Sequence, residues 1–352
     1  MRVALFAVMS DHVVDVAYIL PIRASAPALA SEWVEYLRWI SANSREVVVV
    51  DSSDAEIFRA HAESWGRFVR HVPLEKDLAT PMGKVGNVTT GVRLARSDKL
   101  VIADDDVRYD ARSLRQVAQS LDDAEVVRPQ NYFDPLPWHA RWDTGRMLLN
   151  RVTAGDWPGT LGVRRAALVS TGGYDGNAMF ENLELVRTVI AAGGSEKILF
   201  GAYVLRRPSS TSHFWSQRIR QAYDEFARPL RLLWQLAILP VLAGLILTRH
   251  WAVIALLGTF SVGLAEAGRR RDGGAHFFPL STSFFAPLWL LERAICSWIA
   301  LFSRIFIGGV RYRGRTLRLA ANSMRKLRAR HSNPQTLDVT PASHRTDQYQ
   351  SA

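Results

Sequence analysis

Cysteine is almost missing from this chain: Cys296 is the only one in 352 residues. That excludes an intramolecular disulfide framework and a cysteine-based zinc site, and it fits a reducing compartment. Cys296 itself reads as a small apolar residue within a hydrophobic helix. Acid is missing where base is densest. From Gly308 to Arg330 there are eight Lys or Arg and no Asp or Glu. A basic run directly after an apolar stretch marks a cytoplasmic membrane flank. No nucleic-acid motif accompanies it, which argues against a nucleic-acid partner. A cleavable leader is also lacking: MRVALFAVM is short, and Asp11 and Asp15 follow at once, so residues 1–15 are read as a lead-in.

What is present is a globular body with membrane segments attached, 48% hydrophobic and with a net charge of +11. Leu232 to Leu247 is apolar without a formal charge, and Trp251 to Ala267 is interrupted only by Glu266. Each approaches the roughly 20 residues that span a bilayer. The tight linker Thr248-Arg249-His250 predicts a helical hairpin over 229–268. Arg269, Arg270 and Arg271 follow it, so both hairpin ends should face the cytosol. A third stretch, Phe284 to Ile307, carries Glu292, Arg293 and Arg304. One crossing there would put the basic tail outside, against the charge rule. An interfacial or re-entrant helix within 269–330 is therefore expected, with a third span as the alternative. Residues 331–352 are polar and read as disordered.

Residues 16–228 alternate apolar strands with helical patterns. VAYIL (16–20), EVVVVD (46–51), FVRHV (68–72), KLVIADDD (99–106) and EVVRPQ (125–130) read as strands. Patterns over 28–42, 54–65, 84–96 and 110–121 read as helices. This alternation predicts an α/β domain with an open, mostly parallel sheet and helices on both faces. In such sheets ligands sit at the carboxyl ends of the strands, where Asp51 and Asp104-Asp105-Asp106 fall.

Three adjacent carboxylates repel one another unless cations or hydrogen bonds compensate. A divalent ion shared with a diphosphate would do so, and Mg2+ or Mn2+ takes such oxygen ligands. The bland alternative is a solvated acidic turn that starts the next helix. Asp51 fits a base- or ribose-binding acid, and equally a helix N-cap. Lys84, in GKVGNVTTGV, stands at a loop-to-helix junction where a cation would meet a diphosphate. Glu181, in GGYDGNAMFENLEL, stands at a helix start, as a general base or as a dipole partner. His213, Gln217 and Arg220 share one helical face by their spacing, with Arg220 suited to a diphosphate or a carboxylate.

Together these residues resemble glycosyltransferase family 2, especially its membrane-attached, ceramide-glucosyltransferase-like branch. The resemblance runs from Val16 to about Arg220, with a further piece near Val310. It implies a GT-A-type fold holding a nucleotide-diphospho-sugar across the first half of the sheet. By match, Pro21 to Arg23 would be the first nucleotide-binding loop, Asp51 the base-binding acid and Lys84 the lysine of the family's GK segment. Asp104 and Asp105 would face the donor and Asp106 the metal. QRIRQ (217–221) is similar to the QxxRW signature, giving Gln217 and Arg220, and RYRGR (311–315) resembles the basic segment after the membrane part. Two positions depart from the pattern. Gln221 replaces the signature Trp, and Asn182 replaces the Asp that takes the acceptor proton. An amide cannot accept that proton, so Glu181 is the expected substitute. The expected function is inverting sugar transfer to a lipid, polyprenyl or polysaccharide acceptor, by a multi-pass protein of the cell membrane with its catalytic domain in the cytosol. The alternative is a catalytically decayed sugar-nucleotide-binding membrane scaffold.

Overall fold

The structure, a computed structural model, describes residues 13–312 and 314–331. Most of the lead-in and of the polar tail lies outside these residues. At their inner ends, Val14 already belongs to a strand and His331 closes the helix Met324–His331.

Eight strands form one sheet: β1 (Val14–Ile22), β2 (Ser44–Asp51), β3 (Arg70–Pro73), β4 (Lys99–Ala103), β5 (Val107–Arg108), β6 (Val126–Phe133), β7 (Thr160–Arg164) and β8 (Glu196–Arg206). Their order is β3-β2-β1-β4-β7-β6-β8-β5. β1 pairs in parallel with β2 and β4, β2 with β3, and β6 with β8. β7 opposes β4 and β6, and β5 opposes β8. Six strands therefore point one way, and only β5 and β7 run against them. The open, mostly parallel sheet expected from the sequence is present.

The inner strands read as continuous apolar runs because both of their faces are covered. Along β1, Ala17 and Ile19 face the helix Gly83–Leu94, while Val16, Tyr18 and Leu20 face the helices Ser31–Asn43 and Ala111–Ser120, the period of two that a pleated strand imposes. Gly91 lets the first of these helices sit close. A Cβ there would lie 2.5 Å from Ile19 Cγ2.

Some boundaries differ from expectation. Phe68 belongs to a 3-10 turn, Gly66–Phe68, and the strand begins only at Arg70. The acid triplet lies just past the end of β4, in the turn to β5. Two elements carry no clear sequence pattern: the helix Trp138–Arg151 and strand β8.

Beyond residue 228, three helices among the described residues are long and apolar enough to cross a membrane. The first two, Pro229–Leu247 and Trp251–Arg270, form the expected hairpin. Of their apolar windows only 11% and 17% is buried, against 44% for the third. The charges of the third helix, Ala286–Phe306, explain the difference. Arg218 pairs with Asp143 at 2.8 Å and reaches Glu292 at 3.4 Å, tying this helix to the globular body. Its opposite face exposes Leu288, Leu291, Ile295, Ile299 and Phe302.

After that helix the chain returns to the globular body. Strands β9 (Val310–Tyr312) and β10 (Arg315–Leu317) form an antiparallel hairpin. Leu319 and Ala320 then accept backbone hydrogen bonds from Met179 and Phe180, both at 2.9 Å. Asn322 donates to both carboxylate oxygens of Glu184 at 2.7 Å. The segment that follows the apolar helices thus straps the start of the helix Glu181–Ala191.

Candidate functional site

Strand direction builds the site. Parallel β4 and β8 both end at one edge of the sheet, bringing Asp104 to Asp106 beside Arg206. Antiparallel β7 starts at that edge, with Gly159 just before it. A Cβ at Gly159 would lie 2.9 Å from Asp104 Oδ2 and 3.1 Å from Arg206 Cζ, so the glycine leaves room for the charges.

The helix Gly83–Leu94 aims Lys84 at the same place. Lys84 Nζ lies 2.6 Å from Asp104 Oδ1 and 2.9 Å from Glu181 Oε1, and 3.5 Å from Asn182 Oδ1. Burial alone would lower its pKa, but Asp104 and Glu181 overcome that and hold the ammonium above its ordinary value. On the other side, Arg206 Nε donates to Asp106 Oδ2 at 2.8 Å and its Nη2 lies 3.6 Å from Asp104 Oδ2. The acids the sequence pointed to are therefore held between two cations, of which sequence reasoning found Lys84 and missed Arg206. The available signal was an arginine in VLRRP at a strand end, two residues before a proline.

The remaining expected residues surround this core unequally. Glu181 begins its helix as expected. Asn182 Nδ2 donates to Pro158 O at 3.1 Å. Gln217 and Arg220 lie on the helix Thr211–Tyr223; Gln217 Oε1 is buried without a hydrogen-bond partner among the described residues, and the Arg220 guanidinium sits 5.3 Å over the Tyr312 ring. Tyr312 belongs to the RYRGR hairpin, so the structure joins two segments that the sequence analysis matched separately. Asp105 is exposed, and Arg23 is exposed beyond the end of buried Pro21 and Ile22.

Asp51 is the residue whose surroundings differ most from expectation. Its side chain is fully enclosed. Oδ1 accepts from the Ser53 N–H at 2.9 Å, and Oδ2 accepts from His61 Nδ1 at 2.7 Å and His71 Nε2 at 3.1 Å. Both oxygens are thus engaged inside the protein. Burial would raise this carboxyl, but the bonds from His71, His61 and Ser53 hold it well below the usual range. The three side chains lie close enough to suggest a metal site. The tautomer argues otherwise. The Ala28 N–H donates to His61 Nε2 at 2.8 Å, so the proton of a neutral ring sits on Nδ1, facing Asp51. A metal-bound histidine has the reverse arrangement, donating from its outer nitrogen.

No family model matches the sequence, and no curated protein matches it. Solved structures do. The mannosyltransferase PcManGT from Pyrobaculum calidifontis, in complex with GDP-mannose and Mn2+, aligns over 82% of this chain and 88% of its own, with a TM-score of 0.53 at 19% identity. Mannosyl-3-phosphoglycerate synthase from Rubrobacter xylanophilus aligns over 62% of this chain and 74% of its own, with a TM-score of 0.43 at 13% identity. TarS from S. aureus, in complex with UDP-GlcNAc, aligns over 57% of this chain and 61% of its own, with a TM-score of 0.39 at 16% identity. This chain has a GT-A-type fold. At these identities the likeness is one of fold.

The residues at the edge of the sheet fit a divalent ion better than the Asp51 cluster does. Asp106 Oδ1 is buried with no hydrogen-bond partner among the described residues, a hard oxygen donor of the kind Mg2+ or Mn2+ takes. Burial raises the Asp106 carboxyl against the pull of Arg206. Partial desolvation by the surrounding protein, together with the Asp106 and Asp104 charges, raises Asp105 although the residue itself stays exposed. A divalent charge would relieve this repulsion.

The Asp51 cluster yields a pH prediction. Asp51→Asn should destabilise the protein at pH 7 by roughly 2–3 kcal/mol, the scale of a lost hydrogen bond to a charged group. Asp51 has a folded-state value below its unfolded one. Its contribution is therefore complete above the ordinary carboxylate value of about 4 and lost as pH falls further. Denaturant unfolding of wild type and mutant should converge in acid. Chelator should move the midpoints of wild type and Asp51→Asn alike, because any metal on Asp106 is common to both. A chelator shift present in wild type and lost in Asp51→Asn would make the cluster a metal site.

Proposed function

We propose that this chain is an inverting glycosyltransferase of the family 2 type. It moves a hexosyl group from a nucleotide-diphospho-sugar to a membrane-associated acceptor: a lipid, a polyprenyl carrier or a growing polysaccharide. The observation that carries the reading is the pair of cations, Lys84 and Arg206, gripping Asp104 and Asp106 at the carboxyl edge of a GT-A-type sheet. Such a cluster is a seat for a diphosphate: the cations exchange carboxylate partners for phosphate oxygens. Asp106, with Asp104 beside it, would hold Mg2+ or Mn2+, whose chemistry is neutralisation of the leaving diphosphate. Lys84, Arg206 and Arg220 add positive charge around the same group. Pro21, Arg23 and the β2 end at Asp51 border the nucleotide side, Asp51 as a buried anchor of the loop. The acceptor oxygen attacks the anomeric carbon. The bond to the diphosphate oxygen breaks with its electron pair, and the acceptor proton passes to a carboxylate. Glu181 is the expected carboxylate, and Asp224 is the other one on that side.

The membrane part supports an acceptor taken from lipid. Trp138, Trp142 and Trp215 cluster with ring centroids 6.1–6.5 Å apart, and Trp142 meets Phe285, just before the third apolar helix. Aromatic rings of this kind favour the membrane interface. The strap from Leu319 to Asn322 favours an even number of crossings, because the chain enters and leaves the apolar segment on the same globular body. The hairpin supplies two crossings, and the half-buried third helix lies along the interface. With Arg269 to Arg271 as flank, the body and the tail are cytosolic and the protein is a multi-pass one of the cell membrane. This arrangement agrees with the ceramide-glucosyltransferase-like branch. Asn182, spent on Pro158 O, is the observation that favours the decayed-scaffold alternative.

Purified protein in detergent, given radiolabelled GDP-mannose or UDP-glucose, Mn2+ and a total lipid extract, should label a lipid or polymer fraction. Asp106→Asn should abolish metal-dependent donor binding in calorimetry while the melting temperature stays within a few degrees of wild type. Metal-dependent binding without transfer would favour the scaffold. Unchanged binding in the mutant would remove Asp106 from the site.

For topology, Ser323→Cys in a Cys296→Ser background should resist an impermeant thiol reagent in intact cells and react once they are opened. Labelling from outside would contradict an interfacial third helix.

A further inference from the structure

Resting on the glycosyl-transfer reading, we propose that Asp224 accepts the acceptor's proton and that Glu181 serves to position Lys84. The usual base position is occupied by Asn182, which has no basic group to offer and whose amide is committed to Pro158 O. Glu181 is the counter-ion of Lys84 at 2.9 Å. A carboxylate so paired is poorly placed to collect a proton.

Asp224 is differently situated. It begins the 3-10 turn Asp224–Ala227, one helical turn beyond Arg220. Two contacts dock this turn along the Glu181 helix. Arg187 Nη2 donates to Ala227 O at 2.9 Å, and the Arg228 guanidinium lies 5.4 Å from the ring centroid of Phe180, the residue before Glu181. Among the described residues the Asp224 side chain makes no hydrogen bond or ion pair, and its Oδ1 is shut off from solvent. Leaving a carboxylate oxygen shut off from solvent without a partner is costly, and natural folds seldom do so without a use for it. Of the other acids around the site, Asp104 is held by Lys84, Asp106 by Arg206 through one oxygen, Glu181 by Lys84, and Glu225 by Arg228 and Arg231 through one oxygen, while Asp105 is exposed to solvent.

The charged groups facing Asp224 are Arg220, Glu181, Arg228 and Glu225. Burial is the largest influence and Glu181 adds to it, outweighing Arg220 and Arg228. The carboxyl is pushed up to about 8. A base is most effective when its pKa lies near the working pH. In the step itself, the acceptor O–H bond breaks as the oxygen bonds to the anomeric carbon. The proton goes to Asp224, and the electron pair of the breaking glycosidic bond leaves on the diphosphate oxygen.

The test is the pH profile of transfer from GDP-mannose or UDP-glucose to lipid extract by the full-length protein in detergent with Mn2+. Wild-type kcat should rise with pH through an apparent pKa near 8. Asp224→Asn should lower kcat by about 10²- to 10⁴-fold and abolish that rise, with donor affinity by calorimetry unchanged. Asp224→Glu should restore part of the rate together with the limb. Glu181→Gln should weaken donor affinity and keep the limb. An active Asp224→Asn enzyme with an intact limb overturns the assignment, as does a Glu181→Gln enzyme that has lost it. Loss of donor affinity in both Asp224 variants would make the residue structural and overturn it too. Wild-type protein that transfers from neither donor overturns this assignment and the glycosyl-transfer reading together, whereas the other outcomes leave that reading standing.

Discussion

The arrangement of this protein turns on one ammonium group. Lys84 bridges the acid at the end of β4 and the acid that opens the Glu181 helix, two segments 77 residues apart in sequence. Without that bridge, Asp104 and Glu181 would face each other as partly buried like charges, a destabilising arrangement. With it, the first half of the sheet, which carries Lys84 and the acid triplet, is joined to the second half, which carries Glu181. Arg206 makes the matching connection from β8. The charges that would grip a diphosphate are thus the charges that hold the two halves of the domain together. On the proposed function, ligand binding and domain packing would draw on the same groups.

The apolar helices extend this coupling beyond the sheet. The third helix is held to the body by Arg218, Asp143 and Glu292, and the chain that leaves it returns to brace the Glu181 helix through Leu319, Ala320 and Asn322. Anything that displaces the apolar segment pulls on the strap that fixes the start of that helix. The placement of the apolar segment and the geometry at Glu181 are therefore physically linked, as the proposed lipid-side acceptor would require.

Much of this was legible in the sequence, and the reasons are physical. β1, β2 and β4 announced themselves because burial on both faces demands unbroken β-branched and apolar residues. The acid triplet, Lys84 and Glu181 stood at element ends, where chemistry concentrates, and the structure does gather them at one edge of the sheet. β8 was hidden because its first half, Glu196 to Phe200, is only half-buried and mixes charged with apolar residues. Arg206 was lost with it. The helix Trp138–Arg151 escaped because its buried face includes His139, Thr144, Asn150 and Arg151, which erases the apolar stripe. Asp51 looked like a ligand-binding acid because sequence cannot show that His61 and His71, one on the following helix and one on the next strand, close over it. Asp224 was indistinct because a lone acid after a helix is ordinary. Only the combination of an unpartnered side chain and an oxygen shut off from solvent sets it apart among the described residues.

The most direct measurement of the central claim is a structure of the protein with Mn2+ and a nucleoside diphosphate. The diphosphate should sit at the carboxyl edge of β4 and β8, within hydrogen-bond reach of Lys84 and Arg206, with the metal on Asp106 and the Lys84–Glu181 pair lengthened or opened. A diphosphate bound elsewhere, with both cations still locked to their carboxylates, would contradict a donor site at that edge.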